Sequence, residues 1–169
     1  MQTTVKLYSL EYNNAKTYLA AALFILGNIV MPQLFHLMPK GGVTWLPIYF
    51  FTLIGAYKYG WCVGLLTAIS SPLVNSFVFG MPPVSGLPAI ILKSVLLATF
   101  AGITASRFKK ASLWMLITVV LTYQIIGTLG EWIIKGDLYL ALQDFRIGVP
   151  GMILQILGGW LFINFVIRK

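Results

Sequence analysis

Acidic side chains are scarce in this sequence. Asp and Glu number four against twelve Lys and Arg, and charged residues make up only 9% of the chain. Chemistry that needs paired carboxylates has little to draw on, and the single histidine, His36, adds little more. One cysteine, Cys62, excludes an intramolecular disulfide and a cysteine metal cluster. It falls near one end of an apolar run, where packing is its expected role. No HExxH, GxSxG or Walker A motif is present. Lys93-Ser94 has the ending of a P-loop, but Gly86 stands too far upstream and no glycine precedes the lysine. Ser85 and His36 could meet, yet no carboxylate is placed to orient the pair as a hydrolase needs. The chain is therefore not read as an enzyme. It has no means of hydrolysing ATP, and neither a metal nor a cofactor is expected.

Apolar residues are what the chain has in excess. They reach 59%, with a mean hydropathy of +0.87, whereas soluble domains run at about 45–50% apolar and about 25% charged. This composition predicts an all-α integral membrane protein forming a single domain over 1–169. The opening MQTTVKLYSLEYNNAK is polar and lacks the n-region and h-region of a cleaved signal peptide. A span needs about 20 residues, and the apolar runs predict six transmembrane helices, at 15–37, 43–57, 61–80, 87–108, 111–134 and 148–167. The second is short and interrupted by Pro47. Between the last two lies DLYLALQDFRI, in which Leu138, Ala141, Leu142 and Phe145 share a helical face opposite Asp137, Gln143 and Arg146. That pattern predicts a short amphipathic helix on the membrane surface.

Six spans put both termini on one side. Lys6, Lys16, Lys58, Arg107, Lys109, Lys110, Arg168 and Lys169 share that side, against Lys40, Lys135 and Arg146 on the other, beside Glu131, Asp137 and Asp144. The bias predicts cytoplasmic termini. Nucleic-acid binding is a poor reading, because the basic residues are dispersed around helix ends.

Within this frame one residue is out of place. The fourth run, LPAIILKSVLLATFAG, carries Lys93 about 9 Å inside its outer end at 1.5 Å per residue. A snorkelling lysine explains it, in which case Lys93→Met is harmless. So does a binding pocket, because other polar residues occur at similar depth: Asn75 on the third run, Gln124 and Glu131 seven apart on the fifth, and Gln155 on the sixth. Gly127 and Thr128 lie between Gln124 and Glu131 and leave room. Gln33 and His36 close the outer end of the first run, while the inner half offers mainly Ser70, Ser71 and small residues. Polar groups inside a bilayer are costly and face a partner or cavity, which points to an outward-opening pocket. Trp45 and Trp132 fall near the outer rim, with Tyr139 and Phe145 on the surface segment. An interfacial aromatic belt explains them, and so does a stacking wall for a flat ring.

The segment GGVTWLPIYFFTLIGAYKYGWCVGLLTAISSPLVNSFVFGMPP, followed by LPAIILKSVLLATFAG, resembles the substrate-binding S component of an energy-coupling factor (ECF) vitamin transporter. A proline-marked second helix, a tight Tyr-Gly turn, a glycine-rich third helix and a polar residue on the fourth carry the likeness. The resemblance implies a multi-pass protein of a bacterial or archaeal cytoplasmic membrane. It would capture a small vitamin or related heterocycle from outside and pass it inward with a transmembrane coupling protein and two ATPase subunits. It implies Lys93, Glu131, Asn75, Gln124 and Gln155 as polar ligand contacts and Trp45 and Trp132 as stacking residues, with His36 at the rim. Breaks 38–43 and 81–88 would form the lid. The family's first helix often docks on the coupling protein through Ala-x-x-x-Ala; here the corresponding small residues are Thr17, Ala20, Ala21 and Ala22. The rival reading is a membrane scaffold of the MreD type, which has similar size and helix count but needs neither a buried lysine nor an outer pocket. A lipid-acting enzyme would need acid, base or metal groups that this chain barely has.

Overall fold

A computed structural model describes residues 7–167. Lys6, Arg168 and Lys169, which enter the charge count above, lie outside the described residues. Every regular element among the described residues is helical. The long helices are α1 (Ala15–His36), α4 (Trp61–Phe79), α5 (Leu87–Phe108), α6 (Leu113–Lys135) and α9 (Val149–Val166). The five helical segments so formed are long and apolar enough to cross a membrane. They match five of the six predicted runs closely.

Local sequence explains where these helices begin and end. Asn14 caps α1 by accepting from the Lys16 amide at 3.0 Å, and Ser112 caps α6 by accepting from Met115 at 3.4 Å. Gly136 closes α6 at φ +69°, where a side chain would be strained. Large apolar side chains stay exposed on the outward faces, among them Leu23 on α1, Trp114 and Ile133 on α6, and Phe165 on α9. A soluble protein would bury surface of this extent. A multi-pass membrane protein turns it toward lipid.

The second predicted span, 43–57, is not one helix. It is divided into α2 (Gly41–Trp45), a 3-10 turn Pro47–Tyr49, and α3 (Phe50–Tyr59). Leu46 breaks the path by adopting a left-handed conformation at φ +47°, and Pro47 follows without an amide hydrogen. Ten residues of helix cover about 15 Å, half a hydrocarbon core. α3 is instead buried inside the bundle, packed on α1, α4 and α5, with Leu53, Ile54, Ala56 and Tyr57 fully enclosed. Gly64 of α4 lets the two helices close up, since a Cβ there would lie 2.3 Å from that of Ala56.

A buried helix start needs partners for its amides. Asn28 of α1 supplies one: its Oδ1 accepts from the Phe51 amide at 3.1 Å, and its Nδ2 donates to Thr52 Oγ1 at 3.0 Å and Ser71 Oγ at 3.3 Å. Pro32 sits four residues beyond Asn28 in α1, so the Asn28 carbonyl lacks its helical donor. Asn75 Nδ2 donates to that carbonyl at 2.9 Å. One polar network thus holds α1, α3 and α4 together at the site of two helix irregularities.

The surface helix predicted over 137–147 is also different. Two single-turn helices, α7 (Leu138–Ala141) and α8 (Gln143–Arg146), meet at Leu142. Burial within the chain does not follow the predicted division into an apolar and a polar face. Ala141 and Asp144 are both buried, while Leu138 and Tyr139 are exposed. Asp144 turns inward because a cation waits for it there. α9 departs from α-helical form at Leu154–Gly158 and Phe162–Val166, both π-helical.

Candidate functional site

Connections 37–40, 80–86 and 136–148 lie at one end of the bundle. Beneath the first two is a cavity of about 640 Å³, within the range of about 300–1,000 Å³ common for small-molecule sites. Its walls are mainly apolar: Leu46, Pro47, Ile48, Val43 and Ile90 contribute. Both predicted lid segments reach it, through Met38 to Val43 and through Met81, Pro82, Pro83 and Gly86. His36 lies at the mouth, close to Gly42.

The cavity also carries a compact set of charges. Lys93 is 2% exposed. Its Nζ lies 2.5 Å from Glu131 Oε2 and 2.7 Å from Asp144 Oδ2. Lys135 pairs with the other Glu131 oxygen, one helical turn on. Lys93 therefore does not snorkel; it is enclosed and paired. The approach of α5 to α6 depends on Gly127, where a Cβ would stand 2.6 Å from Lys93 Cγ. Gln124 joins the cluster by donating from Nε2 to Asp144 Oδ2 at 3.2 Å. Its Oε1, and Thr128 Oγ1 one turn along the same face, have no partner among the described residues.

Of the residues singled out from sequence, Lys93, Glu131, Gln124 and His36 are brought to this end of the bundle. Gln155 is buried at the first π-helical stretch, accepting from the Tyr123 hydroxyl at 2.8 Å. It does not line the cavity. Asn75 is drawn into the network that serves the Asn28 carbonyl, where it also accepts from Gln33 at 3.4 Å. Trp45 stacks on Phe35 at 5.5 Å between ring centroids, and Trp132 is 44% exposed on the outside of α6. Neither tryptophan borders the cavity, so no aromatic stacking wall is formed by them. Cys62 is half-buried in the first turn of α4.

Two participants were not singled out. Asp144 looked like an interfacial charge, although a buried lysine among four acidic residues is a signal that an acid must find it. Tyr49 was hidden in an apolar run; it is buried, lines the cavity and packs on Tyr123.

The small residues of α1 divide. Thr17 and Ala21 face inward, and Thr17 Oγ1 donates to the Glu11 carbonyl at 2.6 Å. Ala20 is half-buried, and Ala22 alone of the four is exposed. The spacing Thr17-x-x-x-Ala21 therefore serves packing within the chain.

No family model, curated protein or solved structure matches this chain.

Proposed function

We propose that this chain captures a small molecule at one membrane face, as the S component of an ECF-type importer. The observation that carries the reading is the cavity of about 640 Å³ under two glycine- and proline-rich connections, with Lys93 buried at its wall. A scaffold has no use for such a chamber. A lysine enclosed in a membrane domain marks a functional site by default. The open end faces outward if the positive-inside rule sets the orientation, and both termini are then cytoplasmic. The chain crosses six times in this reading, the second crossing being the broken path through α2, the 3-10 turn and α3. Segment 137–148 lies at the outer interface. A vitamin-like substrate enters through connections 38–43 and 81–88, whose prolines and glycines suit a closing loop. Energy comes from a transmembrane coupling protein and two ATPase subunits.

Affinity recovery of the tagged chain from its native membrane tests this. The expected result is a complex with a coupling protein and two ATPases. Recovery of cell-wall synthesis proteins in their place would favour the scaffold reading and overturn this one.

A further inference from the structure

We propose that the cavity selects an uncharged, largely apolar ligand with neutral polar groups, a substrate class that rests on the binding reading above. Four ionisable groups at the wall are mutually spent: Lys93 on Glu131 and Asp144, and Lys135 on Glu131. Two positive charges meet two negative ones, and the set is neutral. Taken one at a time, Lys93 invites an anion and Glu131 a cation. Together they invite neither.

A charged ligand entering here must stay unpaired in an apolar chamber or break an existing pair. Breaking one strands a buried carboxylate or ammonium, since Lys93 is 2% exposed and Glu131 and Asp144 are 8% exposed. An uncharged ligand meets neither penalty. It can still use the cluster, because an ammonium has three donors and Lys93 commits two of them. The carboxylate oxygens also keep lone pairs. Lys40 and His36 stand exposed at the mouth, where water and salt screen them, so they do not set the balance inside. The remaining wall, from Val43, Leu46, Pro47, Ile48 and Ile90, fits an apolar body.

Three probes of one shape separate the charge states: naphthaleneacetamide, naphthaleneacetate and naphthylethylamine. Binding is measured by equilibrium dialysis against the full chain in nanodiscs. Partition into lipid is subtracted with protein-free nanodiscs, beside an Ile90→Trp variant whose indole intrudes on the cavity. The amide is expected to bind at least about tenfold more tightly than either charged probe, a modest demand given the cost of separating a buried pair. Glu131→Gln leaves one positive charge in excess and should shift preference about tenfold toward the acetate. Lys135→Gln, at an exposed residue bonded to Glu131, leaves the Lys93 pairs in place and should shift it toward the amine. A charged probe binding the native chain as tightly as the amide overturns the proposal while leaving a ligand site intact. Preferences unmoved by both substitutions overturn it as well. Binding of none of the probes above the protein-free background would remove the ligand site itself, and with it the reading as a substrate-capturing subunit.

Discussion

The stem of Lys93 crosses α6 directly over Gly127, where a Cβ would lie 2.6 Å from Lys93 Cγ. That contact decides where the ammonium goes, because a bulkier residue at 127 would push the lysine off its route to Glu131 and Asp144. Alanine ordinarily stabilises a helix by about 1 kcal/mol relative to glycine. Here overpacking costs about 1–3 kcal/mol, so Gly127→Ala should lower the melting temperature and weaken ligand binding together. An unchanged or raised melting temperature would mean that the lysine does not depend on this crossing.

For a snorkelling lysine, Lys93→Met is expected to be harmless. For a paired one the sign reverses. Among the described residues the substitution leaves Glu131 with Lys135 alone and Asp144 with the Gln124 amide alone, and removing one partner of a buried pair costs about 3–5 kcal/mol. Thermal unfolding in detergent should show a large loss. Adding Glu131→Gln and Asp144→Asn to Lys93→Met should recover most of the stability without recovering ligand binding. A stable single variant would contradict the pairing.

Asn75 should behave unlike the cavity residues. It completes the Asn28 carbonyl that Pro32 deprives of a donor. Asn75→Leu leaves that carbonyl unsatisfied at a cost of about 1–3 kcal/mol. The melting temperature should fall while the affinity of the folded fraction stays within about twofold. Loss of affinity with stability preserved would return Asn75 to the ligand site.

The inward and outward faces of α1 separate packing from docking. Ala21 is 2% exposed against the core and Ala22 is exposed. Ala21→Leu should destabilise the isolated chain by about 1–3 kcal/mol. Ala22→Leu should leave its melting temperature unchanged and reduce recovery of the coupling protein. Equal effects of the two substitutions on folding would contradict the division of faces.

Periodicity and hydropathy made the long helices legible. The predicted run 87–108 coincides with α5, and 61–80 differs from α4 by one residue. The break in the predicted second span was not legible, although Pro47 marked the place. Its start is held by Asn28, a side chain 23 residues away on another helix, and no local window contains both. The candidate site was half visible for the same reason. Lys93, Gln124 and Glu131 stood out as polar residues in apolar runs. Asp144 did not, because it sits in a polar segment, and its partner Lys93 is 51 residues earlier. Trp132 illustrates the converse: a tryptophan near a helix end looks the same in sequence whether it faces a cavity or, as here, the outside.

The central claim is that the cavity beneath 38–43 and 81–88 holds a small molecule. Native mass spectrometry of the full chain, released from nanodiscs without added ligand, tests it most directly when run beside the Ile90→Trp variant. The account predicts a discrete bound small molecule on the native chain that is absent from the variant, whose indole takes the space lined by Ile90. Identical spectra for the two proteins, with only lipid adducts on both, would contradict it.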